Sequence, residues 1–431
     1  MKKNPWFRFL ILQCCAVTVS VSQLKVSAVM EQVAQGFSIS MGAAAGLMSF
    51  FTVAGIVLAI PGAALMERMG AKRLLLLLMA CLFAGNAVGA VAGAYPLLMA
   101  GRLLEGVAYA MIIMVGIDLI NTWFPHGGAG TATGIFNTFA AVGNFITLNG
   151  ALMVVKRWNV RTLWWIGAAL AAVDLILVLA FIPASNEPNG HAGASIWRLP
   201  RGSKTPLLAV GVLTLEEKPI PDRSRNREND GNTAASSTGA MVREAFRDKR
   251  LMSLGAAQML MAFILFGFIT CYPLLFTGYY HLAPEKANFY SSLNGLFGIP
   301  ACIVCGILAE KTGNPCRAAM VGAVGTVIAG LTMLILTPGT YVVHVLASAV
   351  FPGGLVMTSI FCMVPAIAKR KESVGYYMAV VNLLYYTGVF FATPVMVKLM
   401  EVSWPAAAGT VAVMAAASLV FLFHSKVQPA K

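Results

Sequence analysis

The stretch Pro61–Arg73, PGAALMERMGAKR, decides how the rest of the chain is read. It ends one apolar run and precedes another, and Arg68, Lys72 and Arg73 crowd with Glu67 into a turn too short to form a domain. A hydrocarbon core about 30 Å thick is crossed by about 20 apolar residues in a helix. Charge packed into a tight connection between two runs of that length marks a loop on one face of a membrane.

Outward from this loop the same alternation fills the chain. Of its residues 58% are hydrophobic and 11% charged, whereas an ordinary soluble domain carries about 25% charged residues. About twelve apolar runs are long enough to cross a bilayer, and their continuity indicates helices rather than barrel strands. The net charge of +14 would suggest a nucleic-acid partner in a soluble protein. Here most Lys and Arg fall in alternate loops, with only Lys25 and Arg102 inside the runs. This is the distribution of the positive-inside rule, so both termini are expected on the cytoplasmic side, the lipid bilayer is the surrounding medium, and no nucleic acid is expected. The start MKKNPWFRFLILQCC continues apolar to about Met30 and lacks a small-residue cleavage site, so it reads as an uncleaved first helix. The 8 Cys are scattered mainly through apolar runs, and the one C-x-x-C, Cys302–Cys305, lies inside the 288–309 run with no second such pair; no metal site, cofactor or disulfide framework is readable.

The loop resembles the signature connection between the second and third helices of the major facilitator superfamily, G-x-L-A-D-R-x-G-R-K. Glu67, Arg68, Gly70, Lys72 and Arg73 occupy its acid, base, glycine and basic-pair places, while Ala63 replaces the first glycine and Glu67 the usual Asp. A second copy, GILAEKTG at Gly306–Gly313, repeats the pattern with Glu310, Lys311 and Gly313. The resemblance implies an all-α membrane protein: twelve transmembrane helices in two pseudo-symmetric six-helix bundles flanking a central cavity, with alternating access around a midplane site. It also implies a gating role for Glu67, Arg68, Glu310 and Lys311, and for Asp118 as an ion-pair partner of Arg68 or a neighbouring cation.

In the first half the runs are expected at 9–30, 42–66, 73–94, 95–120, 129–155 and 162–182. In the second they are expected at 251–277, 288–309, 317–338, 340–366, 374–397 and 404–424. The domains are then an N-terminal bundle at 1–182, a polar cytoplasmic linker at 183–250, expected to be disordered in its middle, and a C-terminal bundle at 251–431. Gly85, Gly89 and Gly93 recur at four-residue spacing, which lets helices approach closely.

Charges inside lipid are costly and face a partner or a cavity. Arg102, Glu105 and Gly106, in RLLEGVA, resemble the R-x-x-Q-G-x-G pattern of the superfamily's fourth helix, with Arg102 and Glu105 on one helical face. They could neutralise each other as a structural pair; alternatively, Arg102 attracts an anion or Glu105 carries the coupling proton. Lys25 shares a face with Thr18, Ser22, Val29 and Gln32 and could line a cavity or snorkel to the headgroups. Asn137 and Asn144 lie on a polar stripe with Thr133 and Thr147, suited to a substrate or to a neighbouring helix. Trp123–Pro125 and the Gly143-Asn144 pair resemble nitrate and cyanate carriers, but the second and eighth runs lack the Arg expected of nitrate carriers, which disfavours nitrate. In the second half Asn382 and Tyr385 share a face near mid-run, and Gln258, Tyr272, Asn294, His344 and Ser348 are further polar groups at membrane depth. Asp174 is a possible proton carrier in the sixth run.

No nucleophile with a base partner and no P-loop is visible. The expected function is therefore not enzymatic: secondary transport of a small solute, an organic anion, coupled to protons as a symporter in the cytoplasmic membrane by a monomer. The rivals are an efflux carrier for amphipathic compounds and, from another class, a transporter-like sensor signalling through its linker.

Overall fold

The structure is a computed structural model that describes residues 4–59, 61–124, 132, 135–136, 138–183, 241–311, 314–368 and 373–425. Of Glu67, Arg68, Glu310 and Lys311 only the backbone is described. Asn137, Thr133 and most of the 183–250 segment lie outside the described residues.

Helix starts follow local chemistry. Asn4 accepts a 3.0 Å hydrogen bond from the Trp6 amide, and Pro5, at the first helical position, has no amide hydrogen to satisfy. Ser40, Asp248 and Asn314 cap three further helices in the same way. We number the membrane helices α1 Pro5–Ala28, α2 Met41–Leu58, α3 Ala71–Val91, α4 Tyr95–Trp123, α5 Phe139–Arg157 and α6 Thr162–Phe181. The second half contributes α7 Lys249–Tyr279, α8 Pro284–Lys311, α9 Pro315–Thr332, α10 Tyr341–Val364, α11 Val374–Val402 and α12 Trp404–Ser425. Eleven are long and apolar enough to cross a membrane by length and composition. The remaining one, α8, has 28 residues, ample length for a crossing at about 1.5 Å per residue, and completes a set of twelve.

The pairings are those of two bundles related by symmetry. In the first, α1 packs on α5, α3 on α6, and α2 on α4; in the second, α7 packs on α11, α9 on α12, and α8 on α10. Between the bundles the main seams are α2 with α11 and α5 with α8, which exchange under the same correspondence. A series of cross-bundle hydrogen bonds and an ion pair runs from mid-depth to the end away from the chain termini. Lys156 pairs with Glu285, Asn288 Nδ2 donates to the Ala28 carbonyl at 3.1 Å, and Ser27 Oγ donates to the Thr270 carbonyl at 2.9 Å. Asn149 Nδ2 reaches Ser292 Oγ at 3.1 Å, and Ser49 donates to the Phe390 carbonyl at mid-depth. At that end the bundles are closed against each other.

Three departures from the expected spans have local causes. The 42–66 run is divided: α2 stops at Leu58, and Pro61 precedes a separate helix, Gly62–Met69, because proline cannot supply an interior amide. Gly70, at φ +74°, then turns the chain into α3, a backbone conformation that favours glycine. The first run ends at Ala28, and after Val29 a short helix, Met30–Gly36, continues in a new direction. Finally, α7 and α10 contain π-helical turns, Leu275–Tyr279 and Val350–Met357, the latter holding Pro352, Gly353 and Gly354.

Candidate functional site: an ionic cluster beside the bundle interface

The charges inside the first bundle converge. Lys25 Nζ lies 2.7 Å from Glu105 Oε1, and Arg102 Nη1 lies 2.6 Å from Glu105 Oε2, with all three side chains at most 3% exposed. One carboxylate therefore bridges two cations. Lys25 also donates to Asn86 Oδ1 at 2.6 Å and stands 4.7 Å from the centroid of the Trp164 ring. The orientation of the Asn86 amide is fixed by its nitrogen, which donates to the Leu82 carbonyl at 2.8 Å and to Ser22 Oγ at 3.2 Å.

Arg102 has five N–H donors, and each is directed at protein. Nε reaches the Leu47 carbonyl, Nη1 the Ser22 carbonyl and Glu105, and Nη2 the Gln23 carbonyl and, weakly, Met48 Sδ. The guanidinium thereby ties α1, α2 and α4 together and has no donor to spare for a ligand in this conformation. Lys25 is likewise buried at 2% exposure and does not reach the headgroups.

Small residues allow this closeness. A Cβ on Gly106 would overlap the Phe51 carbonyl oxygen, and one on Gly85 would stand 2.6 Å from the Gly101 carbonyl oxygen. The α2–α4 and α3–α4 contacts are therefore backbone on backbone.

From the cluster an aromatic path leads to the other bundle. Phe51 lies under the Arg102 guanidinium at 4.4 Å, Tyr109 follows at 5.3 Å between centroids, and Tyr386 of α11 at 6.2 Å. Tyr385 stands beside Tyr386 at 5.2 Å and against Phe266 of α7 at 6.2 Å. Tyr109 also lies beside the side chains of Gln23 and Tyr385. Tyr386 rests on α2 at Gly55, where a Cβ would come within 2.7 Å of its ring.

Other residues singled out in the sequence are distributed elsewhere. Asn144 is on the α5–α8 seam, where a Cβ on Gly295 would be 2.7 Å from its Nδ2; its Oδ1 and the Thr147 hydroxyl have no hydrogen-bond partner among the described residues. Asn382 is half-buried one turn before Tyr385 on α11. Asp118 is 7% exposed and has no ion-pair partner among the described residues. Asp174 is 4% exposed, beside Thr18, with Oδ2 unpartnered. In the second bundle His344 Nδ1 and Tyr272 Oη are 2.9 Å apart, His344 Nε2 meets the Ala329 carbonyl, and Asn294 donates to Ser348.

Asn86, Trp164, Phe51 and Tyr109 were not legible as members of the site. Asn86 offered a signal, being the one amide in the run LLLLLMACLFAGNAVGA. The aromatic residues offered none, because lipid-facing positions use the same residue types.

A family model described as Major Facilitator Superfamily matches residues 10–393. The chain is similar to a probable galactarate/D-glucarate transporter of Escherichia coli (strain K12), at 20% identity over 321 residues covering 72% of this chain and 68% of the relative. It is similar to a glucose-6-phosphate exchanger of Mus musculus at 26% identity over 255 residues, covering 52% of this chain and 44% of the relative. A chloramphenicol efflux pump of Mycobacterium tuberculosis (strain CDC 1551 / Oshkosh) is 24% identical over 208 residues, covering 48% of this chain and 50% of the relative.

Proposed function

The chain belongs to the major facilitator superfamily and is a membrane-embedded transporter, and from that premise we propose that it moves a small organic anion together with protons by alternating access. The observation that carries the anion is the charge count at the heart of the first bundle: Lys25 and Arg102 against Glu105, all buried. A buried surplus of positive charge in a low-dielectric interior attracts a negative ligand. The aromatic path through Phe51 and Tyr109 leads from the cluster to the seam with α11, where Tyr385, Asn382 and Tyr386 belong to the opposing bundle. Asn144, with an unpartnered Oδ1 on the other seam, supplies a further polar group, and Asn137 belongs to the same candidate set.

In the cytoplasmic membrane, with both termini inside, the closed end would be the outer one and the conformation described would be closed to the exterior. The cytoplasmic ends then work as a latch: Glu67 and Arg68, with Asp118, and their counterparts Glu310 and Lys311 pair in one conformation and part in the other.

The test is uptake of labelled D-glucarate and glucose 6-phosphate into membrane vesicles, with and without an imposed pH gradient. Gradient-stimulated uptake supports the proposal. A second reading, efflux of amphipathic compounds, is favoured by the aromatic surface of Phe51, Tyr109, Tyr385, Tyr386 and Phe266. Vesicles that expel hydrophobic cations and move neither anion would replace the first reading with the second.

A further inference from the structure

Building on the transporter reading, we propose that the proton of the cycle is carried by the ε-amine of Lys25, and that Glu105 stays ionised throughout. Lys25 and Glu105 can each hold or lose a proton, which gives the cluster four charge states. Arg102 keeps its proton in any of them, since a guanidinium does not deprotonate in proteins. Protonating Glu105 would leave Arg102, and Lys25 too where it is charged, buried without a counter-charge, so both of those states cost more than the two that keep the carboxylate ionised. With all three groups ionised the cluster carries one surplus positive charge. With Lys25 neutral it is balanced, Arg102 against Glu105.

The geometry tolerates the neutral amine. Lys25 Nζ has two hydrogen-bond acceptors, Asn86 Oδ1 at 2.6 Å and Glu105 Oε1 at 2.7 Å. An uncharged amine has two N–H groups, so loss of the proton breaks neither bond. Asn86 cannot turn its nitrogen toward Lys25 without giving up the Leu82 carbonyl and Ser22 Oγ, so it presents an acceptor in both states.

No other charged group intervenes. From α4 the facing groups are Arg102 and Glu105, with Tyr109 one turn on; from α3 Asn86, with Cys81 more than a turn away; from α2 the Leu47 and Met48 contacts to Arg102. From α6 Trp164 faces the amine, Arg161 one turn earlier is turned to the Ala90 carbonyl and the Phe37 ring, and Asp174 lies ten residues further along; Glu31, on the Met30–Gly36 helix that follows α1, is exposed. On α1 itself Cys14 and Cys15 are nearly three turns away, α5 has no ionisable side chain before Lys156, and α7 meets α1 at Ser27 through the Thr270 carbonyl.

The consequence is a link between ligand and proton. The protonated cluster, with its surplus charge, favours a carboxylate or phosphate at the seam, and the bound anion in turn favours the protonated cluster; the two couplings are equal by linkage. Once both have left, the balanced cluster carries no charge through the return step.

The experiment compares purified full-length variants by thermal unfolding in detergent at pH 8. Lys25→Gln, which cannot be charged but keeps two N–H donors, is expected to melt within about 2 °C of the wild type, and Lys25→Arg and Glu105→Gln at least about 5 °C lower. The reverse order, with Lys25→Arg close to wild type and Lys25→Gln destabilised, would show that a permanent Lys25–Glu105 ion pair is required and would overturn the proposal. In proteoliposomes, Lys25→Gln should lose pH-gradient-driven accumulation of D-glucarate while retaining slower downhill exchange; accumulation equal to wild type would also overturn it. Wild-type vesicles that move neither D-glucarate nor glucose 6-phosphate would count against the anion reading alone, and the melting order would still decide the role of Lys25.

Discussion

Arg102 and Glu105 stand one turn apart on α4, yet each is committed to another helix as well: Arg102 to the carbonyls of Ser22, Gln23 and Leu47, and Glu105 to the amine of Lys25. The pair is therefore a junction of α1, α2 and α4 and not a local i,i+3 ornament. Arg102→Lys keeps the charge but offers three donors without the planar fork. Breaking a buried pair of this kind costs about 3–5 kcal/mol, and part of that loss is expected here, read as a lower melting temperature and reduced yield of folded protein. Transport by whatever protein survives should fall as well, since α1 and α2 flank the seam.

Gly106 and Gly93 give a matched contrast. A Cβ on Gly106 would run into the Phe51 backbone, whereas one on Gly93 meets nothing within 4 Å. Gly106→Ala should destabilise the protein by about 1–3 kcal/mol through overpacking, and Gly93→Ala should lie within about 0.5 kcal/mol of wild type. Melting curves of the two variants check both expectations.

Asp174 holds a carboxyl at 4% exposure with Oδ2 unpartnered. Asp174→Asn keeps the shape and removes the cost of burying an ionised carboxylate, so a melting temperature equal to or above wild type is expected at pH 8, by about 1 kcal/mol at most. A fall of several degrees, with loss of proton-driven uptake, would instead assign Asp174 a part in proton movement.

The Lys156–Glu285 pair joins the bundles at the closed end, with side chains 58% and 56% exposed. Pairs this exposed contribute about 0–1 kcal/mol, so Glu285→Lys should raise the population open at that end by no more than about fivefold. The readout is labelling of Ser27→Cys by a membrane-impermeant thiol reagent, since Ser27 is 2% exposed in the closed state. Labelling should quicken in Glu285→Lys, return to the starting rate in the swapped pair Lys156→Glu with Glu285→Lys, and lose the difference at high salt.

How far the sequence carried can be argued from particular residues. The twelve-helix arrangement was legible because lipid leaves a chain few ways to satisfy its backbone, and because the Pro61–Arg73 loop is echoed at Gly306–Gly313. Lys25, Arg102 and Glu105 stood out as charges in apolar runs. The Arg102–Glu105 pair was readable from its spacing; what could not be read was that Lys25 joins it, since Lys25 and Glu105 are 80 positions apart and depth along a helix says little about its rotation. Asn86 was passed over for the same reason. The division of the 42–66 run at Pro61 was available from the proline itself. The π turns were not, because a turn of that kind depends on what the helix packs against and not on composition alone.

Those two turns, Leu275–Tyr279 and Val350–Met357, have a mechanical consequence. Both fall in the second half, while the described helices of the first half carry none. Where the i to i+4 ladder is widened, a helix bends and twists more readily than where it is regular. On that ground the first half, stapled by Arg102, would be the stiffer member of the pair and the second the more compliant. Two halves of common design would then divide the labour unequally, one holding its shape while the other flexes around what it carries.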